Sequence, residues 1–207
     1  MDWEWYDYTI RSIERKYYQL KKIQTGKVLL RDPIYLKNKK YLGRHQELKI
    51  SGYDIQYNYN YAISAWFFIR AQPPNYGVSY RKYTTILDYG GKPNISYNGL
   101  DNALRITMNN GLNKKPIIYK IKDFPLQRWN NIVVNYDSGM LDVFMNSKLV
   151  ASFKNVLPYM SIDNISVGDD DGIGGGVCNV LYFPRMMSKE RISINYNILK
   201  NNNPPVV

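Results

Sequence analysis

At 207 residues the chain is long enough to close one sandwich-sized core and short for two full domains. Its 28 Lys and Arg against 17 Asp and Glu leave a net charge of +11, while a single cysteine excludes an intrachain disulfide and, beside a single histidine, excludes an ordinary zinc site. Lys, Asn, Ile and Tyr, all served by AT-rich codons, dominate the composition, so the 20 tyrosines are not in themselves an argument for binding.

The amino terminus, MDWEWYDY, is acidic and aromatic and lacks the basic-then-apolar pattern of a signal peptide. After it the charge reverses. Between Arg11 and Lys49 stand twelve Lys or Arg against Glu14, Asp32 and Glu47, so this fifth of the chain holds +9 of the total. Ile10, Ile13, Tyr17 and Leu20 fall at near-helical spacing with Arg11, Arg15, Lys16, Lys21 and Lys22 around them, which predicts a basic amphipathic helix ended by Gly26. The loop KNKKYLGRHQELK adds Lys37, Lys39 and Lys40. Two readings stay open for this segment. It docks on something negative, such as an anionic membrane surface or an acidic protein neighbour, or it is a solvated helix packed by its apolar stripe. Specific nucleic-acid recognition is not expected, because no nucleic-acid motif accompanies the charge.

Short strands then alternate with turns: YAISAWFFI, a PPN loop at Pro73–Asn75, TTILDYG, a GGKPN turn at Gly90–Asn94, ALRITM and IIYKI. The longest apolar run, Ala62 to Ile69, is far short of the roughly 20 residues that span a membrane and reads as a core strand. From Trp129 an apolar-rich run reaches Tyr136, Ser138-Gly139 turns the chain, Leu141, Val143 and Met145 form the next strand, and Asn146-Ser147 turns it again. Three aspartates, Asp169, Asp170 and Asp171, precede the glycines of GIGGG. Their position and the strand that follows argue against a phosphate loop, which needs a helix amino terminus. The aspartates are a candidate Ca²⁺ turn, with a plain solvated acidic turn as the alternative. Cys178 lies in VCNVLYF, where a buried thiol acts as a small hydrophobe. Beyond Pro184, Ser188 is a candidate N-cap with Glu190 in the first turn and Ile192, Tyr196 and Leu199 on one face, predicting a short closing helix before the extended tail NNNPPVV.

The order of a tryptophan strand, a strand ending at an Asn turn and a late Gly-rich strand resembles the laminin G-like branch of the concanavalin A-like jelly rolls. The segments RSIERKYYQLKKIQTGKVLL, YNYAISAWFF, PPNYGVSYRKYTTILDYGGKPNISYNG, PLQRWNNIVVNYDSG and GGGVCNVLYF, with the closing NNNPPVV, are similar to laminin G-like proteins of nucleocytoplasmic large DNA viruses. That resemblance implies an all-β antiparallel jelly-roll sandwich, an origin in a virus particle assembled in host cytoplasm, and no defined activity. The expected organisation is a basic helix and extended arm over residues 1–50, the sandwich over 51–200 and a tail over 201–207. Cellular laminin G modules often carry a disulfide near the carboxyl end, and this chain does not.

Catalysis is not expected. Glycoside hydrolases of the superfamily need two carboxylates about 5–9.5 Å apart, and the four glutamates, Glu4, Glu14, Glu47 and Glu190, have no strand partner at spacing two or four. His45 sits in the basic loop without a nucleophile beside it. Two functional readings remain: a structural or interaction component of a large DNA virus particle that docks on other virion proteins, and a carbohydrate-binding module that stacks sugar rings on Tyr76, Tyr80, Tyr89 and Tyr97.

Overall fold

A computed structural model describes residues 26–48, 60–72, 78–111 and 115–206. Strands, most of them four to ten residues long, make up most of the regular structure and turn apolar side chains into the space between two sheets. In chain order they are β1 (Lys27–Leu30), the two-residue β2 (Ile34–Tyr35), β3 (Lys40–Gly43), β4 (Asn60–Ile69), β5 (Thr84–Tyr89), β6 (Asn94–Asn98), β7 (Ala103–Met108), β8 (Ile117–Ile121), β9 (Trp129–Asp137), β10 (Met140–Met145), β11 (Lys148–Phe153), β12 (Ile165–Val167) and β13 (Gly175–Phe183). A single turn of helix, α1 (His45–Leu48), and a longer one, α2 (Lys189–Leu199), complete the set with a 3-10 turn at Val78–Tyr80.

All pairings are antiparallel. One sheet has seven strands in the order β1-β13-β4-β9-β10-β11, with β2 also on β13, and the other has six in the order β3-β12-β5-β6-β7-β8. The all-β jelly-roll expectation therefore holds. Turn chemistry sets the register of the meander: Ser138 and Gly139 both take positive φ, as do Asn146 and Ser147, which matches the right-handed twist of the flanking strands. The interior between the sheets is one apolar cluster that includes Ile63, Phe67, Leu104, Ile106, Val134, Val143 and Val177. Tyr119 on the β8 edge donates to Val150 O on the β11 edge at 3.1 Å, linking the two sheets along that side.

The outer face of the seven-stranded sheet is apolar because a helix lies on it. Ser188 caps α2, its Oγ accepting from the Arg191 N–H at 3.3 Å. Ile192 and Leu199 join Ala62, Val133, Phe144, Leu181, Phe183 and Met187 in a second cluster, and Tyr196 stacks on Trp66 at 5.3 Å. Asn135 fixes the approach to the helix by exchanging two hydrogen bonds with the Met187 backbone, at 2.9 and 3.0 Å.

The basic helix expected before Gly26 lies outside the described residues. The extended arm expected to reach residue 50 is corrected from Lys27 on. There β1 pairs with β13 and β3 with β12, so residues placed ahead of the sandwich contribute strands to both sheets. The physical reason is that KVLL and KYLG each offer half-buried apolar residues to a strand whose second edge would otherwise be left largely open.

Candidate functional site

The outer face of the six-stranded sheet is built differently. Two rows of outward side chains cross it, fixed by direct strand register. The first runs Tyr41, Ser166, Asp88, Asn94, Thr107 and Ile118, one residue from each of the six strands. The second runs Thr85, Ser96, Arg105 and Lys120 across β5 to β8. Tyr41 and Ile118 stand exposed at the ends of the first row, and the serines Ser166 and Ser96 are buried at the floor of the strip.

A β-bulge in β5 puts Thr85 and Asp88 on the same face. The register shifts between Thr85 and Leu87, so Ile86 and Leu87 both turn into the core and Asp88 emerges beside Asn94. Asp88 is held in place. Its Oδ1 accepts from the Gly91 N–H at 3.0 Å and from Asn94 Nδ2 at 3.1 Å, and that amide also reaches Thr85 Oγ1 at 3.4 Å. In the second row Arg105 Nε donates to Ser96 Oγ at 3.1 Å, and its guanidinium lies 4.0 Å from the centre of the Tyr83 ring. Lys120 Nζ is 5.2 Å from the same ring.

The turn that carries Asp88 and Asn94 is anchored from inside. Lys92 is buried, ion-paired with Asp163, and its Nζ lies 4.5 Å from the Tyr89 ring centre. Burial pushes the Lys92 ammonium below its usual range, opposed by the carboxylates of Asp163 and Asp88. The Tyr61 hydroxyl donates to Lys92 O, and Tyr61 meets Tyr89 edge-on at 5.3 Å and Tyr136 at 5.5 Å, with Tyr182 against Tyr89 at 5.8 Å. Burial raises the Tyr61 and Tyr89 hydroxyls far above the ordinary phenol range.

This arrangement corrects the expected aromatic rim. Tyr89 and Tyr97, expected to offer their rings to a ligand from loop-rich stretches, are each 1 % exposed. As inward residues of β5 and β6 they fill the core, where Tyr97 meets Phe124 at 6.3 Å. Tyr80 ends the 3-10 turn, half-buried near Gly99, and Tyr76 lies outside the described residues with Lys21 and Lys22. Lys37, Lys39 and Lys40 are exposed around the β2–β3 turn. The acidic turn lies against that same turn: Gly172 N–H donates to Lys37 O at 3.0 Å, and the Lys39 N–H points at Asp170 Oδ1 at 3.5 Å. Asp170 and Asp171 are exposed and Asp169 half-buried, and among the described residues no three His, Cys, Asp or Glu side chains converge to hold a metal. Cys178 is buried, its thiol pushed up to about 12 by desolvation. Among the described residues no helix is long and apolar enough to cross a membrane.

Two packed antiparallel sheets with one polar outer face define a lectin-type jelly roll. Residues 42–193 match a laminin G family model described as the concanavalin A-like lectin/glucanases superfamily, and the chain belongs to that family. A sequence comparison with curated proteins finds no match. Among solved structures the chain is similar to the binding domain of botulinum neurotoxin serotype D, at TM-score 0.61 and 15% identity over 81% of this chain and 43% of that one. It is equally similar to the serotype D ligand-binding domain in complex with N-acetylneuraminic acid, at TM-score 0.60 and 14% identity over 84% and 46%. A further match is the neurotoxin DC binding domain in complex with SialylT, at TM-score 0.53 and 19% identity over 69% and 36%. The chain thus spans less than half the length of these structures, and the likeness is one of fold.

Proposed function

We propose that the protein is a non-enzymatic, lectin-like binding module that takes a glycan on the outer face of its six-stranded sheet. The observation that carries this reading is the row Tyr41, Ser166, Asp88, Asn94, Thr107 and Ile118, which sets a preorganised acceptor and amide between an exposed aromatic and an exposed aliphatic residue. Sugars are recognised by such pairings of directed hydrogen bonds with a flat apolar contact. Asp88 is the one carboxylate in the two rows, whereas glycosidic hydrolysis uses two, so binding without turnover is the chemistry the face supports. That two of the similar toxin domains were solved with sialic acid or SialylT agrees with a glycan ligand.

The test is titration calorimetry of the protein against a panel of oligosaccharides, repeated with Asp88→Ala and Asn94→Ala. Saturable binding weakened at least about tenfold in either variant supports the reading. Binding of no saccharide, or binding unchanged in both variants, overturns it.

A second reading concerns place rather than ligand. The resemblance to laminin G-like proteins of large DNA viruses supports a virion component, and the exposed Lys37, Lys39 and Lys40 favour docking on an acidic virion protein or an anionic membrane surface. Co-sedimentation with anionic liposomes and with purified virion proteins across a salt series tests it. Loss of attachment when Lys21, Lys22, Lys39 and Lys40 become Gln is expected, and equal attachment of the two forms at low salt refutes it.

A further inference from the structure

Arg105 and Lys120 are direct cross-strand neighbours on the outer face of the six-stranded sheet. Like charges placed directly opposite on one sheet face repel and destabilise the pair. Among the described residues neither forms an ion pair with a carboxylate; what lies beside both cations is the Tyr83 ring, at 4.0 and 5.2 Å. An aromatic face attracts a cation but does not neutralise it. Arg105 is further held by its Nε bond to Ser96, which fixes the guanidinium plane and leaves its terminal nitrogens as a preorganised fork. Asp88, the carboxylate of this face, has its Oδ1 taken by Gly91 and Asn94 in the other row. The rows are about 7 Å apart along the strands at two residues' rise, and Asp88 on β5 also lies two strands across from Arg105 on β7 and three from Lys120 on β8, at about 4.8 Å per strand. Two unneutralised cations, one of them rigid, therefore sit roughly 8–16 Å from an acceptor and amide, a separation spanned by two or three linked sugar rings rather than one.

From this geometry we infer that the glycan taken by this face is acidic, with its anionic group on Arg105 and Lys120 and its neutral hydroxyls on Asp88 and Asn94. The inference rests on the lectin-like reading and adds the class of sugar. The chemistry shared by the candidate ligands is a planar carboxylate or a sulfate on a saccharide. A carboxylate matches the two parallel donors of a guanidinium, while a sulfate is tetrahedral and uses the two cations as separate charges.

The experiment is calorimetric or NMR titration of the full chain with matched saccharides: a neutral oligosaccharide, the same oligosaccharide bearing a sialic or uronic acid, and the same bearing a sulfate. The variants are Arg105→Gln, Lys120→Gln and Arg105→Lys, each checked for an unchanged melting profile. An acidic saccharide binding at least about tenfold more tightly than its neutral parent, with the difference erased in Arg105→Gln and reduced in Lys120→Gln, is the expected result. A carboxylated ligand loses affinity in Arg105→Lys as well, because the fork is gone, whereas a sulfated one keeps most of it. Equal binding of neutral and acidic saccharides overturns the inference and leaves the lectin-like reading standing. Binding of no saccharide removes both. An oligonucleotide of equal charge competing as well as the acidic sugar also overturns it, since the patch is then a general anion surface.

Discussion

Lys39 and Asp170 are 131 residues apart in the chain, and the main-chain N–H of one points at the carboxylate of the other across 3.5 Å. The basic loop and the acidic turn, which read as two separate features in the sequence, are neighbours in the fold. Gly168 and Gly172 make this possible. A Cβ on Gly168 would stand 2.4 Å from Asn38 O and one on Gly172 would stand 2.0 Å from Leu36 O, so the acidic turn lies directly on the backbone of the lysine loop. The amide facing Asp170 and the lysine loop beneath the turn both lessen the pull of these aspartates on a divalent cation.

The first expectation therefore concerns calcium. With one Asp170 oxygen facing the Lys39 amide and cations alongside, added Ca²⁺ should leave the melting temperature unchanged. A real site would show itself plainly, since a ligand at about 100 times its dissociation constant adds roughly 2.7 kcal/mol. A chelator-reversible rise in melting temperature that disappears in Asp170→Ala is the result that contradicts this.

The second concerns alkaline pH. Tyr61, Tyr89, Tyr97 and Tyr136 all have hydroxyls raised above the ordinary value of 10.0, burial being the first cause in each, and Tyr97 is pushed up to about 12. The unfolded chain loses these protons first, so the stability they represent is full below pH 10 and is lost as pH rises beyond it. Lys92 acts with the opposite sign. Burial lowers it below 10.5, the unfolded chain holds its proton longer, and stability from this group grows with pH in the window under 10.5. Four tyrosines outweigh one lysine, so the urea midpoint should change little from neutrality to about pH 9 and fall steeply by about pH 11. Spectrophotometric titration should show these phenols ionising only as the protein unfolds.

Much of the fold was legible because a strand buried on one face announces itself by period two. LDVFM keeps Leu141, Val143 and Met145 at alternate positions. AISAWFF and RWNNIVVNY, buried on both faces, show instead as apolar-rich runs of strand length, and Ser188 before KERISINYNIL marks its helix by cap and face. β6 was not legible as a strand: NISYN interleaves its two inward residues, Ile95 and Tyr97, with Asn94, Ser96 and Asn98, which read locally as turn residues. The candidate face was invisible for a different reason. Its residues come from six strands scattered between Tyr41 and Ser166, and only the strand register, with a bulge that brings Asp88 outward, lines them up. Tyr89 and Tyr97 misled because each precedes a glycine turn by one or two positions, and proximity to a turn says nothing about which face of the strand a side chain takes.

The third expectation concerns the closing helix. Ile192 is fully buried against the seven-stranded sheet, so Ile192→Ala should cost about 3 kcal/mol through lost burial and the cavity left behind. Ser188→Ala removes only the acceptor for the Arg191 N–H and should cost about 1 kcal/mol. Denaturant unfolding of both variants checks the order. Equal effects would mean that α2 is held by its cap rather than by its apolar face.

The last expectation separates backbone packing from flexibility in the GIGGG run. Three of its four glycines, Gly172, Gly175 and Gly176, read alike in the sequence, but their surroundings differ. A Cβ on Gly172 would meet Leu36 O at 2.0 Å, and one on Gly175 would meet Phe68 O at 2.4 Å, both against backbone atoms that cannot rotate away. On Gly176 the nearest atom would be Ile34 O at 3.3 Å, a contact relieved by a shift of a few tenths of an ångström. Gly172→Ala and Gly175→Ala must push apart the lysine loop or the β13–β4 pairing, and each should destabilise the fold by more than about 2 kcal/mol. Gly176→Ala should cost less than about 1 kcal/mol. Thermal melting of the three variants makes the comparison, and a uniform response would show that these glycines serve the freedom of the loop rather than the close approach of its neighbours.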